Sequence, residues 1–347
     1  MPWPDRAWPY TKLQVSGWNY YNADLAGSPQ LSTVTFLHFA GGTPPPSQLR
    51  DVTIGDTPEH FVTGDFNGDA WSDVASIYNN GNNTISIWVW PGTTSGPGAV
   101  YKAYSSCAGC WNWAGSTFVA GDFNGDFKTD LAGIYDYGGN TIGIWIWPGT
   151  ATGLGSPYKA YTGCAGCWNL ASSKWVAGDF NGDSKDDLVA MYDYGNADTG
   201  LVMFNGDASA PLASGHSVWR SGPNNFAWSH AKLAAGDFNG DAKSDLAAVY
   251  DYGSADTALF LFSGDATTPL HTYTQTWRSG PNNFAWSSAK LAAGYVNGDL
   301  NDDLVVMYNY GNATSAIIPF PGDASAPLHT DYLAWESGVG GYDWNNT

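Results

Sequence analysis

The chain has 347 residues, among them 43 Gly, 18 Trp and 20 Tyr, and only 13% of its residues are charged, a composition typical of an all-β protein with many tight turns. Its formal net charge of −19 opposes contact with phosphate backbones, which excludes nucleic acid as a main partner. No apolar run approaches the ~20 residues that a membrane-spanning helix needs, and this excludes insertion into a membrane.

The first segment, residues 1–6, lacks the apolar core of a signal peptide. A protein that stays in the cytoplasm, one released by a non-classical route and one that begins at a mature N-terminus after secretion all fit this start, and the sequence leaves the three open. Residues 11–60 then form a degenerate repeat unit. This unit keeps Gly17-Trp18-Asn19 and a strand-like run over residues 33–37, but it lacks the acidic residues of later units.

The strongest pattern in the rest of the chain is the motif Gly-Asp-Phe-Asn-Gly-Asp. Its first Asp stands at Asp65, Asp122, Asp179 and Asp237, and a fifth copy carries Tyr295 there instead. The interval between successive copies is constant to within one position. So regular a period indicates tandem structural units, and we predict one domain over residues 1–347 with regular units from about residue 61 onward.

Each unit is predicted to contain four short strands. In the unit around Asp237, apolar runs separated by Asp, Gly and Pro turns cover residues 232–236, 246–250, 258–262 and 271–277. Four antiparallel strands form the blade of a β-propeller. The first strand carries Ala and Gly in almost every copy, so we expect it to be the innermost strand, where space is smallest.

The two chain ends are predicted to share one blade. An aromatic residue stands at a fixed interval before the motif in each full unit, and a Lys stands at a fixed interval after that aromatic residue in three of them. Trp335 begins another such run, which stops at Thr347, and Lys12 supplies the residue that comes next in register. The predicted fold is therefore a closed six-bladed β-propeller of four-stranded antiparallel blades, without an exposed sheet edge.

The four cysteines form two Cys-Ala-Gly-Cys pairs, Cys107/Cys110 and Cys164/Cys167, at equivalent points of neighbouring units. Facing sheets lie ~10 Å apart, too far for four sulfurs to share one zinc ion without distortion. We therefore expect no zinc site. A disulfide within each pair and a pair of free thiols are equally compatible with the spacing.

The Asp motif places oxygen-bearing side chains at the first, third, fifth and ninth positions of a loop, a spacing that suits Ca²⁺. Calcium loops also favour Gly at the sixth position, which other residues occupy here, and the fifth copy loses its first ligand. An Asx-type turn whose carboxylates accept backbone N–H groups is the favoured alternative, so calcium is not expected to be required. The candidate calcium ligands are Asp65, Asn67, Asp69, Asp73, Asp122, Asn124, Asp126, Asp130, Asp179, Asn181, Asp183, Asp187, Asp237, Asn239, Asp241 and Asp245.

A second repeated pattern precedes the Asp motif: an aromatic residue, a Gly/Asn-rich turn, and two aromatic residues separated by one. A flat indole beside amide and guanidinium donors suits a sugar, whose C–H face stacks on the ring while its hydroxyls bind the donors. Wedging of neighbouring blades by the same aromatics is the structural alternative, and both roles can hold. Trp228 and Trp286 are the predicted stacking platforms, and the other candidates are Trp111, Trp113, Trp168, Trp219, Arg220, Asn225, Phe226, Trp277, Arg278, Asn283, Phe284, Trp335, Tyr342 and Trp344.

No constellation of catalytic residues breaks the symmetry of the repeats. His271 and His329 occupy matching repeat positions, and His38, His60 and His230 lack a Ser or Cys nucleophile nearby in sequence. Most carboxylates belong to the Asp motif, so no glycosidase pair can be selected. We therefore predict a binding protein that is not an enzyme.

The run Val-Ala-Gly-Asp-Phe-Asn-Gly-Asp, followed by Asp-Leu and Tyr-Asp-Tyr-Gly, resembles the FG-GAP/VCBS repeats best known from integrin α-subunit propellers. With Trp-x-Ser-Gly and the paired aromatics, the pattern is more similar to bacterial propeller lectins of the PLL type. The similarity covers nearly all of the chain from about residue 60 and, weakly, residues 12–60. Lectins of this type that are best known have seven blades, whereas this chain has material for six.

That resemblance implies a multivalent lectin with aromatic sugar pockets between adjacent blades, and it adds Tyr252 to the candidate site. The implied partners are glycans of the fucose, N-acetylglucosamine or methylated-sugar type, and an oligomer is compatible with this role. Leu170 and the Cys-Ala-Gly-Cys loops depart from the pattern in two units. The alternative is a calcium-bearing protein-interaction propeller of the integrin type. Monosaccharide would not compete with the protein partner of such a propeller.

Overall fold

The computed structural model describes residues 31–36, 50–55, 60–94, 96–297 and 299–339, the first two ranges by their backbone only. The chain divides into two compact units. One unit comprises residues 59–237 and 241–286, and the other comprises residues 1–58, 238–240 and 287–347. Within the described ranges, no helix has the length and apolar character needed to cross a membrane.

The strands are short and regular. Near the N-terminus, β1 (Leu31–Phe36) pairs antiparallel with β2 (Arg50–Gly55). Blade 1 contains β3 (His60–Gly64), β4 (Asp73–Asn79), β5 (Ile85–Trp90) and β6 (Tyr101–Ser105). Blade 2 contains β7 (Ser116–Gly121), β8 (Asp130–Asp136), β9 (Ile142–Trp147), a small hairpin of β10 (Gly149–Thr150) and β11 (Gly153–Leu154), and β12 (Tyr158–Thr162).

Three further blades follow the same plan. Blade 3 contains β13 (Ser173–Gly178), β14 (Asp187–Asp193), β15 (Thr199–Phe204) and β16 (Gly215–Arg220). Blade 4 contains β17 (Ala231–Gly236), β18 (Asp245–Asp251), β19 (Thr257–Phe262) and β20 (Tyr273–Arg278). In the second unit, blade 5 contains β21 (Ala289–Gly294), β22 (Asp303–Gly311), β23 (Thr314–Phe320) and β24 (Trp335–Glu336). Short 3-10 helices precede the first strands of blades 2 to 5, at Trp113–Gly115, Leu170–Ser172, Trp228–His230 and Trp286–Ser288.

Every blade is an antiparallel sheet whose four strands follow in chain order, which gives it two distinct ends. At the turn end, the Asp motif joins the first strand to the second, and a longer connection joins the third to the fourth. At the loop end, a short turn joins the second strand to the third, and the aromatic loop leads from the fourth strand towards the next blade. In blade 4 the loop end consists of residues 252–256 and 279–288.

The first strands of successive blades contact one another, β3 with β7, β7 with β13 and β13 with β17. This is the crowded inner edge that the Ala and Gly residues predict. A β-carbon at Gly64 would collide with the side chain of Thr129 in the next blade, and one at Gly178 would collide with Ser244. Small residues are therefore required there by the close approach of the neighbouring blade.

The apolar core lies at the junctions between neighbouring blades. At the junction of blades 3 and 4, Met191, Leu201 and Met203 pack against Phe260 and Phe262, all with at most 7% exposure. The Phe of the first three Asp motifs is completely buried in such a cluster, with Phe66, Phe123 and Phe180 at successive junctions. The motif therefore contributes a core side chain as well as a turn.

Backbone hydrogen bonds connect the Asp turns of blades 1, 2 and 3 to the following blade. The N–H group just before the buried Asp of one blade donates to the carbonyl of the first motif Asp in the preceding blade, at 2.8 Å in all three cases. These donor–acceptor pairs are Thr129 to Asp65, Asp186 to Asp122, and Ser244 to Asp179. The bonds require no particular side chain, so they hold the blades together in the same way at these three junctions.

The predicted all-β fold of four-stranded antiparallel blades is confirmed. In blade 4, the strands predicted from sequence lie close to β17 to β20, with small differences at their ends. The described residues contain five blades, so the count of six stays a prediction. The predicted closure falls on Lys12 and on the end of the chain, which lie outside the described residues.

Candidate functional site

The Asp motif forms a hydrogen-bonded turn at the turn end of the blades. In blade 1, Asp65 Oδ1 accepts hydrogen bonds from the N–H groups of Gly68 and Asp69 at 2.8 and 3.0 Å, and its Oδ2 accepts one from Ala70 at 2.7 Å. Asn67 Oδ1 also accepts from the Asp69 N–H, at 2.8 Å. These side chains bind the backbone of their own turn, as the Asx-turn alternative requires.

The ninth residue of the motif is a buried Asp in each of the five blades. In blade 2, Asp130 accepts hydrogen bonds from the N–H groups of Gly149 at 2.8 Å and Phe123 at 3.2 Å. Burial raises the pKa of Asp130 to about 7, despite these bonds, and the Asp122 and Asp126 carboxylates add to the rise. Burial likewise raises the pKa to about 6, 7 and 6 at Asp73, Asp187 and Asp303. Burial therefore favours the protonated form of these carboxyls unless a cation compensates the charge of the ionised form.

The sixth residue of each motif adopts a left-handed backbone conformation although none of them is Gly. The φ angles are 70° at Ala70, 63° at Phe127, 67° at Ser184, 63° at Ala242 and 80° at Leu300. Calcium loops place Gly at this position because such a φ suits a residue without a β-carbon. Since the turn takes this shape without Gly, the missing Gly no longer argues against a calcium loop.

Calcium binding at the turns stays the alternative to the favoured Asx-type turn. Among the residues that the structure describes, no group of three or more His, Cys, Asp or Glu side chains is arranged to hold a metal ion. The first, third and fifth motif residues instead accept hydrogen bonds from backbone N–H groups in blades 1, 2 and 3. The described contacts are those of the turn alternative.

At the loop end, the aromatic loop of each blade is fixed to the blade's own second turn. In blade 3, Asn224 N–H donates to Asn196 O at 2.8 Å, and Phe226 N–H donates to Ala197 O at 3.1 Å. The same two backbone bonds recur as Gly109–Asn82 and Trp111–Asn83 in blade 1, Gly166–Gly139 and Trp168–Asn140 in blade 2, and Asn282–Ser254 and Phe284–Ala255 in blade 4. Four blades therefore share one backbone frame at this end.

A second closure of the loop differs between blades. Blades 1 and 2 contain the disulfides Cys107–Cys110 and Cys164–Cys167, which decides between the two alternatives that the sequence left open. In blade 3, Asn225 takes the place of the second Cys, and its Nδ2 donates to Ser221 O at 2.8 Å. Asn283 and Ser279 repeat this bond at 2.7 Å in blade 4. The two Asn residues predicted as sugar partners are thus exposed residues that also close their loops.

Four of the predicted binding residues lie in the hydrophobic core: Trp111, Trp168, Phe226 and Phe284, with exposures of 5, 9, 3 and 7%. Phe226 packs against Tyr250 and Phe260 of the next blade, with ring centroids 4.5 and 5.9 Å apart. The half-buried Trp113 donates from Nε1 to Ile77 O at 3.3 Å. This burial argues against direct sugar contact by the four core residues and favours the wedging role.

The two predicted stacking platforms are half-buried and carry contacts of their own. Lys174 Nζ lies 4.7 Å from the centroid of the Trp228 ring and donates to the Trp228 carbonyl at 2.7 Å. Lys232 Nζ lies 4.2 Å from the Trp286 ring and donates to its carbonyl at 2.7 Å, while Trp286 Nε1 donates to Val249 O at 2.9 Å. A sugar would compete with a lysine for one face of each indole, and the platform role stays a prediction.

The remaining predicted aromatics lie nearer the surface. Trp219 is half-buried and packs edge-on against Phe262 and Tyr273 of blade 4, with ring centroids 5.0 and 5.7 Å apart. Trp277 holds the equivalent position in blade 4, and Trp335, in blade 5, is 43% exposed. Two further candidates lie outside the described residues, Tyr342 and Trp344.

The loop end of blade 3 carries an ordered polar cluster of Tyr194, Asp198 and Arg220. The guanidinium carbon of Arg220 lies 3.8 Å from the Tyr194 ring centroid. Its Nε donates to Asp198 Oδ1 at 3.1 Å and its Nη2 to Asp198 Oδ2 at 2.8 Å. These bonds lower the pKa of Asp198, which therefore stays ionised beside the cation. Gly200 pairs with Arg220 across the sheet, and a β-carbon there would lie 2.8 Å from the tyrosine ring.

Blade 4 repeats this cluster with Tyr252, Asp256 and Arg278. The guanidinium lies 4.1 Å from the ring, and its Nε and Nη2 donate to the carboxylate at 3.0 and 2.7 Å. The tyrosines of the two clusters are 43 and 46% exposed, whereas the aspartates are nearly buried. In the part of the chain that the structure describes, Nη1 of neither arginine makes a hydrogen bond. Each cluster thus presents a fixed donor beside an exposed ring.

Sequence reasoning identified Arg220, Arg278 and Tyr252 but missed Tyr194 and both aspartates. The missing signal lies in the repeats themselves. Asp precedes Arg by the same interval in blades 3 and 4, whereas blades 1, 2 and 5 have Thr at the Asp position. The Arg position holds Ser105, Thr162 and Glu336 in those three blades. An Asp that occurs only where Arg occurs indicates an ion pair.

Both the sequence repeat and the fold are similar to those of known proteins. The FG-GAP-like repeat family matches residues 65–133, which include the Asp motifs of blades 1 and 2. Among curated proteins, none matches the sequence. The structure is similar to that of a triple arginine-to-alanine mutant of AofleA from Arthrobotrys oligospora, with a TM-score of 0.53 and 11% identity over 96% of this chain and 91% of that one.

Two structures of the Aleuria aurantia lectin show a weaker likeness. One is described as a six-bladed β-propeller with a novel mode of fucose recognition, and it has a TM-score of 0.48 and 13% identity over 98% of this chain and 99% of that one. The other is a mutant in complex with α-methyl-L-fucoside, with a TM-score of 0.47 and 13% identity over the same shares. The fold is thus an all-β propeller of four-stranded antiparallel blades.

Proposed function

We propose that this protein is a carbohydrate-binding propeller without catalytic activity, and that it binds glycans through the Tyr–Arg–Asp clusters at the loop ends of blades 3 and 4. The observation that carries the proposal is the pairing, in two successive blades, of an exposed tyrosine with a guanidinium held in place by a nearly buried carboxylate. The Asp–Arg pair is not needed to complete the core, since blades 1 and 2 fold with Thr at the Asp position and Ser or Thr at the Arg position.

The chemistry of the cluster suits a neutral sugar. Aspartate occupies Nε and Nη2 of each arginine and compensates its charge, so Nη1 remains to donate to a hydroxyl. The tyrosine adds an apolar edge for sugar C–H groups and a hydroxyl that is protonated at neutral pH, and its partial burial raises the pKa of Tyr194 and Tyr252 further. Because the donors are already oriented, binding requires little further ordering of side chains.

Repetition supports multivalent binding. The two clusters stand one repeat period apart in sequence, and both lie in the same compact unit. Weak sites held on one rigid body gain avidity when a glycan surface engages them together. The proposal includes a specificity for sugars of the fucose, N-acetylglucosamine or methylated-sugar type, which the sequence resemblance implies.

Arginine substitutions test the proposal directly. Arg220→Met and Arg278→Met keep most of the apolar stem but remove the donors, and Lys185→Met removes a cation from the turn end of blade 3 as a matched control. A glycan array selects the sugar, and calorimetric titration then counts the sites. Each arginine substitution should remove one site, and the double variant should lose both.

Two results would contradict the proposal. Full stoichiometry in the double variant would place the sugar elsewhere. A partner protein whose binding needs calcium and ignores monosaccharide would favour the integrin-type alternative.

A further inference from the structure

Blade 2 holds a cation over aromatic rings in a different way from blades 3 and 4. Lys159 Nζ lies 5.5 Å from the centroid of the Tyr137 ring and 6.0 Å from that of the Trp145 ring. Trp145 Nε1 donates to Tyr137 Oη at 2.9 Å, so the two rings form one surface. Tyr137 is 46% exposed, and Trp145 contacts Trp111 at the junction with blade 1.

The strand register places this cation at a different position from that of the arginines. Lys159 pairs with Trp145 across β9 and β12, whereas Thr162, the counterpart of Arg220, pairs with Gly143. Because side chains alternate along a strand, Trp145 and Gly143 lie on one face of the sheet. Blade 1 repeats the arrangement: Lys102 pairs with Trp88, and its Nζ lies 4.9 Å from that ring.

The second difference is that Lys159 has no anionic partner. Thr141 stands at the position of Asp198, and within the described ranges Lys159 makes neither an ion pair nor a hydrogen bond. By contrast, Lys128, Lys185 and Lys243 at the turn end each lie 3.3–3.4 Å from an aspartate oxygen. Because the exposed ammonium of Lys159 has no carboxylate partner among the described residues, it is available to bind an anion.

We propose that the surface formed by Tyr137, Trp145 and Lys159 binds an anionic sugar, one that carries a carboxylate or a sulfate group. The sugar ring contacts the two aromatic side chains, and its anionic group pairs with Lys159. An ammonium acts as a point charge and accepts either anion, unlike the oriented fork of arginine. This inference rests on the proposed function and divides it: the Asp-compensated clusters of blades 3 and 4 bind neutral sugar, and blade 2 binds acidic sugar.

The test uses an array of matched sugars, in which each neutral hexose is printed with its uronic acid and its sulfate ester. The full-length protein is compared with Lys159→Met and with Lys128→Met, which removes a paired lysine from the opposite end of the same blade. We expect the wild type to prefer at least one acidic sugar over its neutral counterpart. Lys159→Met should weaken that binding by about three- to fivefold, to the neutral level, as expected for one exposed ion pair.

Salt and the control variant complete the test. Raising the ionic strength should weaken binding of the acidic sugar and leave binding of the neutral sugar unchanged. Lys128→Met should bind both sugars as the wild type does. The uronic acid and sulfate spots show which anion is bound. Equal binding of acidic and neutral sugars by the wild type, or a preference that survives in Lys159→Met, overturns the inference. Absence of all sugar binding overturns the proposed function with it, whereas intact neutral binding without the preference overturns this inference alone.

Discussion

Blades 1 and 2 differ from blades 3 and 4 in the side chains that complete the loop end, although all four share the same backbone bonds there. The first two close the loop with a disulfide and carry an uncompensated lysine over a tryptophan. The other two close it with an asparagine amide and carry an arginine held by aspartate. The frame is therefore independent of the side chains that it presents.

The backbone also explains why the two closures are not interchangeable. Gly222 and Gly280 stand where the first Cys of the disulfide loops stands, and their φ angles are 73° and 74°. A residue with a β-carbon is disfavoured at such a φ, whereas Cys107 and Cys164 are not in this region. The two backbone bonds are thus shared by all four blades, while the side chains that close the loop differ. These side chains divide the blades into two types, one closed by a disulfide and one by an asparagine amide.

The largest expected effect concerns what the blades share, the buried Asp of each turn. Because the pKa of Asp73, Asp130 and Asp187 is raised above the unfolded value to about 6 or 7, the folded state holds more protons between about pH 4 and pH 7. Their stabilising contribution is complete below about pH 4 and is lost as the pH rises through 6 to 7. Urea unfolding in the presence of a chelator should show the free energy of unfolding falling across this range.

Two comparisons sharpen this prediction. Asp130→Asn should flatten the decline, whereas the pKa of Asp198 and Asp256 is lowered, so those pairs lose stability only below the range tested. Calcium binds the ionised carboxylates, so added calcium would abolish the decline if the turns are calcium loops. A free energy that rises with pH in the chelated protein would show that burial does not control these groups.

The next largest effect distinguishes the two roles of Trp286, packing between blades and stacking against a sugar. Trp286→Ala removes a half-buried indole, its hydrogen bond to Val249 and its contact with Lys232, so it should cost about 3–5 kcal/mol. Leu170→Ala, at the equivalent position in blade 2, should cost about 2–3 kcal/mol because less volume is lost. Unfolding and sugar titration of the same variants decide the role. An unchanged stability with loss of one sugar site would restore the stacking platform.

Removal of the disulfides should affect blades 1 and 2 alone. A cross-link that closes a four-residue loop stabilises by about 2 kcal/mol in the chain-entropy account, so replacing both cysteines of one pair with Ser should cost about that much. Hydrogen exchange should show loss of protection over residues 104–113 when Cys107 and Cys110 are replaced. Equal loss over residues 219–228 would mean that the loop ends are not independent.

The smallest expected effect is that of the amide closure. Asn225→Ala removes one side-chain hydrogen bond to Ser221 and should cost about 1 kcal/mol, measured by urea unfolding. Reductant should leave this value unchanged. Ser229→Ala is the control, because Ser229 is exposed and its hydroxyl makes no hydrogen bond among the described residues. If Asn225→Ala lowered the free energy of unfolding by as much as loss of a disulfide, or by more, the proposed ranking of the two closures would be wrong.

Much of the fold is predictable because the repeat acts as its own alignment. The period, the alternating apolar runs and the small first strand locate each strand of blade 4, with small differences only at the strand ends. The clusters were harder to predict. Asp198 and Arg220 belong to opposite ends of a strand pair in sequence, and only the register that pairs Gly200 with Arg220 brings the cluster together.

The role of the aromatic loop could not be predicted from the sequence. Its tryptophans were predicted as sugar platforms or wedges with equal support, since an indole serves both roles with the same sequence. Burial of Trp111 and Trp168, and the lysines over Trp228 and Trp286, depend on how neighbouring blades pack. The disulfides likewise depend on oxidation, which a Cys-x-x-Cys spacing does not reveal.

The backbone bonds between each Asp turn and the next blade have a consequence for how such a chain can evolve. The residue that donates is Thr129, Asp186 or Ser244, yet the bond length is 2.8 Å each time. A duplicated repeat would therefore meet a neighbour that offers the same backbone bond, whatever side chain the donor residue carries. Gene duplication can change the number of repeats in one step, while point substitutions at the loop end change the chemistry of one copy and leave its neighbours intact. The two types of blade in this chain are the pattern that such a history produces.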